Sequence, residues 1–353
     1  MKRLEALPYL FPHIVLAVAA YGLAMDDIGP IQHVTQLFLL VIVVDHLLGS
    51  ANNRSMSRAT TASRDAIQSL SLWPTVPLHV ALVLLGLERA ADYGVLTREF
   101  VVLTVSVGFV GAMFTIPAAH ELVHRATRVE RLMGLTILGL FAYPHFAIEH
   151  VGGHHRNLGT PRDPATARFG ESFFAFYERA IVDSAASAWA LEARRLCRLR
   201  RRVLGVHNRL LRYLAALAAA YTLIALYFGA AGVSFMVVQS IIGLTTLEVI
   251  NYVQHYGLVR RALPTGRYER ITAQHSWNSN HVLSNWLLLN LPRHSDHHDN
   301  AARSYRDLRS VDDAPQLPTG YFGLFLLALV PPLWRKVMDP RVRVWREKQG
   351  YPK

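Results

Sequence analysis

The chain has a single cysteine, Cys197, in 353 residues. One thiol excludes internal disulfides, a CxxC redox pair and a four-cysteine iron centre built into the chain. No glycine-rich fingerprint for a flavin or dinucleotide is present either, so any redox chemistry must draw its electrons from a separate protein. Acidic residues are scarce, with 25 Asp and Glu against 37 Lys and Arg and a formal charge of +12. No basic and aromatic module accompanies that excess, which argues against nucleic acid as the partner. Internal repeats and low-complexity tracts are also missing.

What the chain has in abundance is apolar sequence. The hydrophobic fraction is 52%, and it comes in long uncharged runs rather than amphipathic stripes, the pattern of an integral membrane protein. The runs cover 6–25, 28–44, 67–87, 100–119 and 213–247. The last is long enough for two spans, with the GAAG at 229–232 as the turn of a helical hairpin. Six spanning helices are expected, near 6–25, 28–48, 67–87, 98–119, 211–230 and 233–252. The first run is too long for a secretory h-region and has no small-residue cleavage site behind it, so it is read as a helix rather than a signal peptide.

The basic residues concentrate at Lys2 and Arg3, at Arg54, Arg58 and Arg64, between 194 and 212, and from Arg335 onward. The turns near Asp26 and Asp27, near Tyr93 and at 229–232 carry few or none. Basic residues mark cytoplasmic flanks, so both termini are expected in the cytoplasm. Three more apolar stretches do not read as spans. The stretch 132–148, ending near Pro144 and His145, is expected to be re-entrant or interfacial, 282–291 is too short to cross, and 321–333, broken by Pro331 and Pro332, is expected to lie amphipathically at the interface. The polar region 159–207 reads as a cytoplasmic cap, and bundle and cap as one domain over 1–353.

Nine histidines fall into four tight groups where apolar sequence meets polar: His120 and His124 in HELVH, His150, His154 and His155 in EHVGGHH, His255 in NYVQHYG, and His294, His297 and His298 in RHSDHH. Residues three and four apart share a helix face, so each multi-histidine group can aim its imidazoles at one point. Such packing without a metal leaves donors and acceptors unpaired. Nine neutral imidazoles exceed the three or four that one zinc takes, and two metal ions are the natural reading. HELVH also fits the HExxH zinc-protease pattern, with Glu121 as general base, but the surplus histidines have no use in a one-zinc site. A metal transporter would place its ligands near mid-membrane rather than at helix ends. His13, His33, His46, His79 and His207 are scattered and read as structural. His145, His275 and His281 lie near the groups and stand between the two readings.

The motifs HELVHR, IEHVGGHHRNLGTPRDPATARFGES, NYVQHYGLVR, RYERITAQHSWNSNHVLSN, LPRHSDHHDN, SYRDLR and LPTGYFG together resemble the membrane-bound di-iron alkane 1-monooxygenases over about 111–339. The resemblance implies an all-α membrane protein of six transmembrane helices with a histidine-rich di-iron cap (120–207 and 255–353) facing the cytoplasm of a bacterial inner membrane. It implies two non-haem irons held by the nine histidines, and O2-dependent hydroxylation of a terminal methyl group of a medium-chain alkane. Rubredoxin, or a ferredoxin with its NAD(P)H-dependent reductase, is the implied donor. The N-terminal third departs from the family: Asp45, Asn52 and Asn53 fit, but Arg54 and Ser55 replace the usual proline and acidic residues. Gln254 stands where many relatives carry glutamate, as it does in relatives that hydroxylate aromatic methyl groups. An aromatic-methyl hydroxylase and a fatty-acyl desaturase are therefore the neighbouring alternatives.

Carboxylates beside the histidines are candidates to orient ligand imidazoles rather than bind metal, namely Glu121, Glu149 and Asp296. Glu248 joins them, seven residues before His255 on nearly the same helix face, where a lone charge in an apolar run faces the bundle interior. An apolar substrate explains a metal cage at the tips of membrane helices, because alkyl chains concentrate in membrane lipid.

Overall fold

The computed structural model describes residues 4–51 and 71–351, with side chains from Leu7 onward. Asn52, Asn53, Arg54, Arg58, Arg64 and the onset of the apolar run at 67 lie outside the described residues. The described chain is helical, with β-pairing limited to isolated bridges such as Ser50 with His281. By length and composition, four of its helices can cross a membrane: Leu7–Ala24, Gly29–Leu48, Arg98–His124 and Arg209–His255. We label the elements α1 (Phe11–Ala24), α2 (Gly29–Leu48), α3 (Thr75–Tyr93), α4 (Arg98–His124), α5 (Arg128–Leu140), α6 (146–157), α7 (Phe173–Arg198), α8 (Arg209–His255), α9 (Val282–Leu287), α10 (His294–Asp299), α11 (Tyr321–Ala328) and α12 (Pro331–Lys348).

Local chemistry starts these helices where they start. Thr97 accepts from the Phe100 N–H, Thr127 from Glu130 and Ser172 from Ala175, so α4, α5 and α7 each open on a side-chain N-cap. Asn208 accepts from both Leu210 and Leu211 at the head of α8. Helix α3 carries Glu88, Arg89 and Asp92 in its last turns, and Arg89 satisfies its charge there by reaching the Leu23 carbonyl at 2.9 Å and Asp26 at 3.1 Å.

The 47 residues of α8 form two arms. Gly229 leaves the helix with φ 59° and ψ −153°, a conformation that only glycine adopts readily. A Cβ on Gly232 would sit 3.1 Å from the side chain of Ile224, whereas eight residues of straight helix would separate them by about 12 Å. Leu210 packs with Ile148 and Ala188, and the His255 ring lies 4.7 Å from that of His154. Both ends of α8 therefore meet the same region, and the chain reverses at the expected GAAG turn. Leu226 is 75% and Tyr227 79% exposed on the outer arm, and Leu39 and Leu47 are exposed on α2, side chains that suit lipid rather than water.

The stretch 132–148 does not continue as one helix. Helix α5 stops at Leu140, and Ala142, with φ 54°, turns the chain so that the Tyr143 N–H meets the Leu138 carbonyl at 2.8 Å. HELVH and EHVGGHH thus stay at one end of the bundle. The stretch 321–333 departs from the amphipathic expectation. Helix α11 is apolar all round and buries Tyr321, Phe322, Leu324, Phe325 and Ala328, as such helices must. Pro331 and Pro332 then open α12 at positions whose N–H groups need no partner, and Trp334 behind them is fully buried.

Helices α2, α4 and α11 share one core. The rings of Phe38 (α2), Phe109 (α4), Phe322 and Phe325 (α11) meet edge to face at 4.9–5.9 Å. Beside them the buried Asp45 carboxylate at the end of α2 accepts from the Ser284 N–H at 2.9 Å and the Ser284 hydroxyl at 2.5 Å.

Candidate metal centre

Four elements deliver the nine imidazoles to one place. The last turn of α4 presents His120 and His124, four residues apart on one face. In α6 the backbone widens into a π turn over His150–His154, in which the His155 N–H reaches the His150 carbonyl. That fifth-residue bond brings His150 and His155 toward the same side as His154, which an ordinary helix would not do. Gly153 leaves room within this turn for the Glu149 carboxylate, which a Cβ at 153 would approach to 2.3 Å and force to move. His255 ends α8, and α10 adds His294, His297 and His298.

The imidazoles sort into two sets. His120, His124, His150 and His297 bring ligand atoms within 4.8 Å of one another, and His154, His255, His294 and His298 do the same. His155 places its Nε2 3.1 Å from that of His150 and 3.2 Å from that of His297, so it joins the first set, with its ring 4.6 Å from His298 of the second. Other inward Nε2 pairs are as close: His120 with His297 at 3.0 Å, His150 with His124 at 3.0 Å, His154 with His298 at 3.2 Å and His298 with His294 at 3.0 Å. Metal–nitrogen bonds of about 2.0–2.1 Å set neighbouring ligand nitrogens about 2.9–3.4 Å apart, so the sets fit two first-row ions. The buried Nε2 of His255 has no hydrogen-bond partner, as an atom aimed at a metal requires. Burial first, and then the neighbouring imidazoles, hold His150, His155, His294, His297 and His298 well below the usual histidine range. Neutral imidazole is the metal-binding form.

His154 differs. Burial opposes its protonation, but the Asp163 carboxylate, 2.9 Å from its Nδ1, overcomes that and raises its pKa. Asp163 also accepts from the Thr166 hydroxyl and the Ala165 N–H, so the TPRDPAT loop holds the one carboxylate that, among the described residues, hydrogen-bonds a clustered imidazole. Sequence reasoning passed over it, although the acidic residue of TPRDPA was in view.

The four carboxylates singled out from sequence have other partners. Glu121 binds Arg125 at 2.7 Å and the Tyr305 N–H at 3.3 Å. Asp296 is enclosed by Arg303 and Arg309. Glu149 accepts from the Ser187 hydroxyl at 3.3 Å, and Glu248 from Tyr143 at 3.1 Å and Asn251 at 3.2 Å. His79 hydrogen-bonds Thr115 at 3.2 Å and His13 hydrogen-bonds Thr75 at 3.0 Å, away from both sets. His275 pairs with Glu269, and His281 lies beside Ser279.

A narrow slot of about 30 Å³ between α4 and α8 is lined by His120 and Phe146, with Ala112, Met113, Leu247 and Gln254 among its walls. A larger apolar groove of about 650 Å³ lies between α3, α5 and the outer arm of α8, with no clustered histidine in its lining.

The fatty acid desaturase family profile matches residues 98–328, which contain all nine histidines. Alkane 1-monooxygenase 1 of Alcanivorax borkumensis is 39% identical over 307 residues, 87% of this chain and 76% of that protein. Alkane 1-monooxygenase 2 of Pseudomonas aeruginosa is 45% identical over 247 residues, 70% of this chain and 66% of that protein. The xylene/toluene monooxygenase hydroxylase component of Pseudomonas putida is 32% identical over 250 residues, 70% of this chain and 66% of that protein. With its histidine sets gathered at the end of a membrane-capable bundle, the chain belongs to the alkane 1-monooxygenases within the fatty acid desaturase family.

Proposed function

We propose that this chain hydroxylates the terminal methyl group of a medium-chain alkane at two iron ions held by His120, His124, His150, His155 and His297 on one side and His154, His255, His294 and His298 on the other. The observation that carries this reading is the convergence of nine imidazoles beside an apolar slot that His120 lines. When bound, the two irons supply O2 activation and C–H oxidation. The overall change consumes one O2, two electrons and two protons per alkane and yields a primary alcohol and water.

The chain's own residues position and protect. The slot is walled mainly by apolar side chains and has His120 in its lining, a setting in which the end of an alkyl chain is presented to the metal site. Its apolar walls exclude bulk water. Asp163 holds the proton on His154 Nδ1 and so keeps Nε2 free to bind metal. Glu248, held by Tyr143 and Asn251 and by no clustered imidazole, tunes the site from a distance rather than binding iron.

The six spans expected near 6–25, 28–48, 67–87, 98–119, 211–230 and 233–252, the third of them shifted in the structure to α3 over Thr75–Tyr93, form, with the cap, one domain in the bacterial inner membrane, termini and metal site toward the cytoplasm. With Cys197 the one cysteine in these residues, the electrons are supplied by a rubredoxin or a ferredoxin with its NAD(P)H-dependent reductase.

The decisive experiment supplies purified protein with donor, reductase, a medium-chain alkane and isotope-labelled O2. A primary alcohol carrying one labelled oxygen is expected, and no turnover with NADH alone. An unlabelled alkene as product would replace this reading with a desaturase. Gln254 in the slot wall favours one second reading, hydroxylation of an aromatic methyl group. Turnover of toluene or xylene with alkanes inert would select it.

A further inference from the structure

Between 193 and 212 the chain has eight arginines and no acidic residue. They surround the junction where α7 hands over to the outer arm of α8. Buried Glu192 neutralises two of them, Arg195 at 2.6 Å and Arg209 at 2.7 Å, and also accepts the Arg209 N–H at 2.8 Å. Arg201 and Arg212 have no carboxylate partner among the described residues. With Arg195, Leu199, His207 and Arg209 they line a cup of about 240 Å³.

Two further observations bear on what fills it. Helix α7 closes with the Arg201 N–H on the Leu196 carbonyl at 2.9 Å and the Arg200 N–H on the Cys197 carbonyl at 3.0 Å. This termination puts Arg200 at φ 51°, where glycine is the usual residue. The turn so formed sets a further arginine beside the cup. Leu199, Leu204 and Val206, interleaved with these arginines, are 57%, 74% and 79% exposed. Such a basic loop with large bare apolar side chains suits the headgroup and acyl boundary of a membrane. A soluble acidic protein would match the arginines but leaves those side chains unexplained. The cup also opens at the first turns of the lipid-facing arm, where Leu214 is exposed.

We propose that this arginine cup is a binding site for an anionic phospholipid, its phosphate between Arg201 and Arg212 and its acyl chains along Leu204, Val206 and the outer arm of α8. The contacts are those by which basic pockets beside membrane helices hold acidic headgroups.

The test uses the full chain in detergent, given phosphatidylglycerol or phosphatidylcholine, with retained lipid measured by native mass spectrometry and stability by thermal unfolding. Phosphatidylglycerol is expected to be retained selectively and to raise the Tm. Replacing Arg200, Arg201 and Arg212 together by glutamine is expected to weaken that retention roughly a hundredfold with metal content unchanged, and Arg201→Lys to keep it. Equal retention of both lipids would overturn the proposal, as would a triple variant that still holds phosphatidylglycerol. A Tm rise reproduced in full by inorganic phosphate would make this a free-phosphate site. A triple variant that keeps its lipid but loses turnover at limiting electron donor would make it a protein-docking face instead.

Discussion

The Asp163 carboxylate lies 2.9 Å from Nδ1 of His154, and both side chains are wholly buried. A ligand imidazole oriented in this way keeps one tautomer and one ring plane, so that its second nitrogen faces the metal. Asp163→Asn preserves shape but loses the charge that favours this arrangement. Metal affinity at the set containing His154 is expected to fall about 10- to 100-fold, with the other set less affected. Metal analysis after dialysis checks this, and an unchanged metal content would remove Asp163 from the site.

The two histidine sets should be separable. His297→Ala and His154→Ala are each expected to lower the iron content from two ions per chain toward one and to abolish turnover. His79→Ala, buried against Thr115 and 4.9 Å from the Phe141 ring, is expected to keep both ions while costing about 2–4 kcal/mol of stability, as buried large-to-small changes do. One zinc per active chain would end the di-iron reading.

Glu192 makes the junction between α7 and α8 sensitive to acid. Burial alone would raise its pKa, but hydrogen bonds from Arg195 and Arg209 prevail and hold it at about 2. A carboxylate depressed in the folded state contributes stability that is full above its ordinary value of 4.5 and is lost as pH falls toward about 2. Tm is expected to drop across that window in the native chain and more shallowly in Glu192→Gln. At neutral pH the variant should be less stable by about 1–2 kcal/mol, because the charged hydrogen bonds of Glu192 are lost while Arg195 and Arg209, 30% and 37% exposed, are partly rehydrated.

The sole cysteine provides a topology probe, since Cys197 is exposed. A membrane-impermeant maleimide should label it only from the cytoplasmic side. In a Cys197→Ser background, Arg128→Cys should label from that same side and Ala230→Cys from the opposite one. Labelling of residues 128 and 197 from different faces would mean that the stretch 132–148 crosses the membrane.

The sequence alone determined the helical membrane architecture, the reversal at 229–232 and the identity of the nine clustered histidines. Each of these rests on local information: hydrophobic run length, the freedom of one glycine, and helical spacing that fixes which side chains share a face. The division of the histidines into two sets needed the tertiary fold, because His297 meets His120 across 177 residues and His298 meets His154 across 144. So did the pairing of Asp163 with His154, which a loop of irregular backbone brings about, and the burial of α11, whose all-round apolar surface could as well have faced lipid. Which carboxylate orients a ligand and which merely ties the cap together depends on side-chain direction and on competing arginines. Those are set only when distant segments pack, as the arginines around Asp296 and the Ser284 contact of Asp45 illustrate.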